Sequence, residues 1–297
     1  MLRQLKRLLF SPKLESFRKK AIPILKRFYL YNAALSLLSY KTNSGHIREL
    51  NANVRQIRDI SDKNYQETLN VLYRIHPVQK EHNLILETET PVALDSLDHI
   101  MPSGTMRDNT CKPRFVKACE KFKGEACSYL DLGCAGGGLV RNFLESGHFS
   151  IGVEGSNYSF LEGRAEWARI PRHLFTADIT KPFSIKDART AEPQLFDIVG
   201  AWEVMEHLPE ESLPAFCRNV ISHLSPGGVF IASVAMFPLP HHICLHEEKW
   251  WVEMFAEHGL YRIAHRNDFV PGDFPRGEND WPPEMGFHIV CKRSPTS

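Results

Sequence analysis

The sequence predicts an α/β fold: a mostly parallel sheet with helices on both faces, preceded by a helical extension. Three observations predict it. Ser128-Tyr129-Leu130-Asp131-Leu132 reads as a buried strand that breaks at Gly133 into the turn Gly133-Cys134-Ala135-Gly136-Gly137-Gly138. An apolar-periodic helix follows from Leu139 to Ser146, with Gly147 as its stop. Further short apolar runs then recur, each separated by enough chain for a crossover.

Taken in order, Asp108-Asn109-Thr110 reads as the cap of a helix from Pro113 to Lys123, ahead of the first sheet strand. The next strand, Phe149 to Val153, ends at Glu154. Leu174-Phe175-Thr176-Ala177 leads into Asp178-Ile179, Leu195 to Trp202 is a fourth strand, and Gly227 to Val234 a fifth. Met254 to Leu260 reads as the last helix with Gly259 as its stop, and Gly286 to Cys291 as the final strand. Asp268 to Glu284, rich in Pro and Gly, is too long for a bare connector and is a candidate lid. Before the sheet, Ile47 to Leu50, Val54 to Ile60 and Tyr65 to Ile75 suggest helix. The expected division is residues 1–105 as a helical extension covering the substrate side, and 106–297 as the sheet domain.

The acids decide the ligand. A glycine turn between strand and helix lets a nucleotide-like ligand approach the backbone. A pyrophosphate there would be repelled by Asp131, and the G-x-G-x-x-G pattern of dinucleotide sites fails in this run. A ligand with a cationic amino-acid end would instead be attracted, and S-adenosylmethionine has one. Glu154, 23 residues after Asp131, stands where a carboxylate can bind both ribose hydroxyls, and Asp178 where it can face an adenine edge.

This series, Asp131 to Gly138, Glu154-Gly155, Asp178-Ile179, Ala201 to Leu208 and Leu224 to Val234, resembles the successive motifs of class I S-adenosylmethionine-dependent methyltransferases. Glu203-Val204-Met205-Glu206-His207-Leu208 is similar to the ubiquinone-type O-methyltransferase branch. Asp98-His99-x-x-Pro102-x-Gly104-Thr105-x-x-Asp108-Asn109 with Pro113-Arg114-Phe115 is similar to bacterial methyltransferases of sugar and glycan pathways. The resemblance covers roughly residues 95–293. It implies a Rossmann-like sheet of seven strands and a cofactor site made of Asp131, Gly133, Ala135, Gly137, Glu154, Asp178, Ile179 and Trp202. Ala135 departs from the family pattern, which has a middle glycine there.

Methyl transfer to a hydroxyl needs aligned reactants and a group that takes the proton. Glu203, Glu206 and His207, at i, i+3 and i+4, would share one face of a helical turn. Two readings stand for this cluster. His207 is a general base oriented by the glutamates; or Glu203, Glu206, His207 and His246 ligate a divalent cation, magnesium or manganese. The second resembles the metal site of small-RNA 3′-terminal 2′-O-methyltransferases. His241, His242, His246, Trp250 and Trp251 fall between Pro238 and Trp251, a plausible wall for the acceptor.

The expected activity is O-methylation of a sugar-containing or other small hydroxylated metabolite. The alternatives are a metal-assisted RNA 2′-O-methyltransferase and a cofactor-binding scaffold without turnover. A net charge of +1 hides an asymmetry that bears on partners. Residues 1–27 carry nine basic side chains and one acid, leaving the other 270 residues at −7, against the basic working face of most nucleic-acid enzymes. That amino-terminal segment is read either as a helix docked by its apolar stripe or as a contact for an anionic membrane surface or polyanion, with Pro23 kinking it. A span of about 20 apolar residues is absent, and no secretory core follows the start. Seven scattered cysteines without a C-x-x-C pair suggest reduced thiols and a cytoplasmic protein, with a peripheral membrane contact through the basic segment as the alternative.

Overall fold

The computed structural model describes residues 82–102, 104–263 and 285–294. The chain divides at Pro77, and the fold below is that of the unit 77–297. The basic segment 1–27, the helices expected between 31 and 81, and the candidate lid 268–284 lie outside the described residues.

The elements run β1 (Leu84–Thr88), α1 (Leu97–Ile100), α2 (Pro113–Lys123), β2 (Ser128–Leu132), α3 (Gly138–Glu145), β3 (Phe149–Glu154), α4 (Tyr158–Leu161), β4 (Leu174–Thr176), β5 (Phe183–Asp187), β6 (Phe196–Trp202), α5 (Leu213–His223), β7 (Leu224–Ala235), α6 (Glu248–Glu257), β8 (Leu260–Arg262) and β9 (Gly286–Arg293). Seven strands form one sheet in the order β4-β3-β2-β6-β7-β9-β8. The pairs from β4 to β7 are parallel, whereas β9 runs antiparallel to both β7 and β8. The expected mostly parallel, Rossmann-like sheet is therefore present. Its order reverses between β2 and β6, and an open α/β sheet forms its ligand crevice at such a switch point.

Alternation along the strands builds the core on both faces. Tyr129, Ile198, Val229 and Ile231 pack with Phe115 and Cys119 of α2 and Leu139 and Phe143 of α3. Leu130, Leu132, Val199, Phe230 and Ala232 pack with Leu213, Phe216 and Val220 of α5 and Trp251 and Phe255 of α6. Each such fully buried Phe or Leu contributes about 1.5–3 kcal/mol. Helix α2 starts at Pro113, where a missing N–H is harmless, and stops at left-handed Gly124.

Three expectations need correction. Residues 82–105 are not wholly helical: β1 pairs antiparallel with β5, from Leu84 opposite Asp187 to Thr88 opposite Phe183, as a separate two-stranded sheet. Leu84 and Leu86 pack on the main core while Ile85 faces out, a period-2 pattern too short to distinguish from a helical turn by sequence. The segment Asp108-Asn109-Thr110 does not cap α2, whose N-cap is Lys112 without a side-chain bond. It lies instead on the glycine turn. Finally, β7 starts at Leu224 and continues through Pro226-Gly227-Gly228, a stretch that reads as a turn in isolation.

Candidate active site

The glycine turn sits at the carboxyl end of β2. Gly133 and Gly137 have φ of +80° and +83°, which a side chain would strain. Space also selects glycine at Gly136, where a Cβ would come within 2.7 Å of the Asp108 carbonyl and the Asn109 side chain. Asn109 donates to Glu166 Oε1 at 3.1 Å, and the buried Arg141 donates to the same oxygen at 2.8 Å, so the covering segment is tied to the helix after the turn.

The strand-end acids converge on this turn. Glu154 accepts from the Ala135 N–H at 2.7 Å and the Ser156 N–H at 3.1 Å. Burial raises its carboxyl, and those two bonds work against the rise. Asp131 is buried, and burial pushes its carboxyl up to about 7; the hydrogen bond from Tyr129 opposes that shift, while the Asp108 and Glu154 charges add to it. Tyr129 donates to Asp131 Oδ1 at 2.9 Å and accepts from Trp202 Nε1 at 2.8 Å, linking β2 to the end of β6. Tyr129 escapes the sequence reading, although its i−2 spacing places it on the same strand face as Asp131. Asp178 is turned into its own loop, where Oδ1 accepts from the Thr180 N–H and hydroxyl at 2.9 and 2.6 Å. The Ile179 side chain is buried, and its carbonyl accepts from Asn219. The Ala135 carbonyl accepts from Trp167 Nε1 at 2.8 Å. Asp131, Gly133, Ala135, Gly137, Glu154 and Trp202 are thus connected directly or through Tyr129 and adjoining backbone. Asp178 and Ile179 follow β4 at the neighbouring strand end.

The second cluster follows β6. The expected helical face for Glu203, Glu206 and His207 does not form. Glu203 takes left-handed backbone at φ +55°, and a 3-10 turn covers Met205–His207. A left-handed residue ends the parallel strand abruptly, so side-chain directions follow the turn rather than a helical face. Glu203 is held by Ser233 of β7: its N–H donates to Ser233 Oγ at 3.0 Å, and the hydroxyl donates back to Oε1 at 2.7 Å. Glu206 is fully buried and accepts from the Ala235 N–H at 3.0 Å; Oε2 is buried and has no hydrogen-bond partner among the described residues. Burial and the Glu203 charge raise its carboxyl.

His207 faces Asp98 of α1, with Nδ1 2.8 Å from Oδ2. The contact becomes an ion pair when the ring is protonated, and it lacks the alignment of a hydrogen bond. Asp98 Oδ1 meets His241 Nδ1 at 2.9 Å, and His242 Nδ1 meets the Phe237 carbonyl at 2.7 Å. The ring centroids of His207 lie 6.4 Å from His241 and 5.0 Å from His242. Burial works to lower the His207 pKa, but Asp98, with Glu206 and Glu203, outweighs it and raises the group above its ordinary value. Burial would raise Asp98, and the two imidazoles more than offset that, holding it below the usual carboxylate range.

The four-residue cation site expected from Glu203, Glu206, His207 and His246 is not assembled. His246 pairs with Glu210 at 2.7 Å and stacks on Trp250 at 3.6 Å. Among the described residues, the groups with ligand-type atoms within 4.8 Å are Asp98–His207–His241, Glu206–His207–His242 and Glu210–Cys244–His246; none joins His246 to the other three. The stacking of His246 on Trp250, at helical spacing i, i+4, removes it from the cluster. The first of these groups pairs a carboxylate with two imidazoles through short contacts, an arrangement suited to holding and passing a proton.

A family model described as a methyltransferase domain matches residues 99–270. The ubiquinone biosynthesis O-methyltransferase of Methylobacterium nodulans is 28% identical over 178 residues, 59% of this chain and 61% of that protein. Its counterpart from Neisseria meningitidis serogroup A is 33% identical over 113 residues, 37% of this chain and 44% of that protein. The matches span about three fifths or less of the length of these relatives. Among solved structures, the glycopeptide N-methyltransferase MtfA is 18% identical, covering 63% of this chain and 93% of its own with a TM-score of 0.44. The family model matches more than half of the chain, which settles the kinship suggested by the motif series: this chain belongs to the methyltransferase-domain family.

Proposed function

We propose that the protein transfers a methyl group from S-adenosylmethionine to a hydroxyl of a small, sugar-containing or otherwise hydroxylated acceptor, with His207 as the general base. The observation that carries this reading is the carboxylate-rich glycine turn at the switch point. Asp131 and Glu154 are buried acids whose charges disfavour one another, so a cationic ligand relieves what burial imposes. That donor set suits the cationic end and ribose hydroxyls of S-adenosylmethionine and opposes a pyrophosphate. Asp131, Glu154 and the backbone from Gly133 to Gly137 would hold it, and when bound it supplies a methyl group on a positively charged sulfur.

The remaining chemistry belongs to the chain. His207 Nδ1 is committed to Asp98, which leaves Nε2 to take the acceptor's hydroxyl proton. The imidazolium so formed sits beside Asp98, Glu203 and Glu206, whose influence favours the charged ring. The names of the curated relatives support oxygen over nitrogen as the methylated atom.

Methyl-labelled S-adenosylmethionine, incubated with the protein and panels of hydroxylated and amine acceptors, tests the reading. Label is expected in a hydroxylated acceptor. Turnover should fall about 100-fold or more in His207→Ala with calorimetric cofactor affinity retained, and should be indifferent to EDTA. Absence of cofactor binding, or label confined to amines, would overturn the reading. Loss of turnover with EDTA that magnesium or manganese restores would replace the general base by a cation.

A further inference from the structure

The imidazole cluster is organised by a residue that lies one position before the family match, outside the sheet. We infer that Asp98 is a positioning residue: its two carboxylate oxygens hold the Nδ1 atoms of His207 and His241 and leave both Nε2 atoms as the basic ones. The inference rests on the reading of His207 as the base.

Geometry carries it. Asp98 Oδ2 is 2.8 Å from His207 Nδ1 and Oδ1 is 2.9 Å from His241 Nδ1. An ionised carboxylate only accepts, so the hydrogen bond at His241 puts that neutral ring's proton on Nδ1. At His207 the contact is close but not aligned, and the carboxylate charge 2.8 Å away favours a proton on Nδ1 over a lone pair facing the anion. Asp98 is itself held: Ser96 caps α1 by accepting from the Asp98 N–H at 3.2 Å. The clamp therefore joins three segments that are far apart in sequence. These are α1, the turn after β6, and the connection between β7 and α6, with 143 residues separating Asp98 from His241. His242 follows the same rule through the Phe237 carbonyl, so three neighbouring imidazoles all direct Nδ1 at an oxygen. A carboxylate that only packed the loop would need neither two nitrogen partners nor the same ring atom on both.

The groups that face His207 are Asp98 from α1, Glu203 and Glu206 from its own turn, and His241 and His242 from the β7–α6 connection. Asp98 is the one whose removal leaves the buried carboxylates in place, so Asp98→Asn isolates its effect.

Long-range 1H–15N correlation spectra of the imidazoles, recorded on the full chain across pH, read tautomer and titration without an acceptor. In the native protein His207 and His241 should show the Nδ1–H tautomer. In Asp98→Asn both should become tautomer mixtures, and His207 should titrate at lower pH because the nearest anion is gone. Amide chemical shifts outside the cluster and calorimetric affinity for S-adenosylmethionine should be retained. A native His207 protonated on Nε2 would overturn the inference without any variant. So would unchanged tautomers and an unchanged His207 titration in Asp98→Asn. Full methyl transfer by His207→Ala would sink the general-base reading while leaving the tautomer result standing, so the two failures are distinguishable.

Discussion

At the scale of single residues the glycine turn carries a local cost. Ala135 occupies left-handed backbone at φ +44°, where a Cβ crowds the following carbonyl. Three contacts hold it there: its N–H to Glu154, its carbonyl to Trp167, and burial of the methyl. Glycine removes the steric penalty of about 1–2 kcal/mol but adds freedom to the unfolded chain that offsets part of the gain. Ala135→Gly should therefore stabilise the protein by about 0.5–1 kcal/mol. Urea unfolding checks this through a higher midpoint at unchanged slope. Destabilisation would mean that the methyl's packing outweighs its backbone strain. Because Glu154 holds this N–H and also faces the ribose in the proposed cofactor mode, the variant should change cofactor affinity little.

At the scale of elements, the turn after β6 depends on β7. Ser233 is fully buried and serves Glu203 twice, as acceptor for its N–H and donor to its carboxylate. Ser233→Ala strands a donor and removes one partner of a carboxylate, at a cost of about 1–3 kcal/mol. Thermal unfolding should register that loss, and methyl transfer should fall with it because Glu203 begins the segment that positions His207. Unimpaired stability would show that water replaces the hydroxyl. The same turn shows where sequence legibility ends. Strands β2, β3, β4 and β6 are readable because each apolar run ends in Gly, an acid or a turn residue, and β9 because its run starts at Gly286. Those ends are also where the glycine turn, Glu154 and Asp178 fall. The E-x-x-E-H spacing has helical period, yet the left-handed Glu203 is imposed by a tertiary partner on β7 that no local pattern encodes. His246 misleads for a related reason: its i, i+4 partner Trp250 and the nearby Glu210 hold it more strongly than the distant glutamates. Asp98 stands in a recognisable motif, but its role depends on contacts made far along the chain. Strands β1, β5 and β8 are short and only partly buried, so polar residues interrupt them and no continuous apolar run marks them in the sequence.

At the scale of the whole molecule, the buried acids set how stability responds to pH. Four carboxyl and imidazole groups at the two clusters have folded pKa values above their ordinary ones: Asp131 at about 7, Glu154, Glu206 and His207. A raised folded value gives stability that is complete below the unfolded value and is lost as pH climbs through the folded one. His82 and His223 act the other way, since burial lowers both; their stability is present above about 6.5 and lost on acidification. Asp98 and Asp197 are lowered carboxylates, and their contribution is lost below the ordinary carboxylate range. Between about pH 6.5 and 8 the raised groups are therefore the ones that change. The cofactor-free protein should lose stability over that window by on the order of 1 kcal/mol per pH unit for each proton that the folded state retains in excess. Saturating S-adenosylmethionine supplies a cation beside Asp131, which favours its ionised form and removes that part of the slope. Calorimetric melting at pH 6.5, 7.25 and 8, with and without cofactor, should show a falling Tm without it and a larger cofactor-induced rise at pH 8 than at 6.5. A flat Tm without cofactor, or a cofactor effect independent of pH, would mean that Asp131 is ionised before the ligand arrives and that the turn is not waiting for a positive charge.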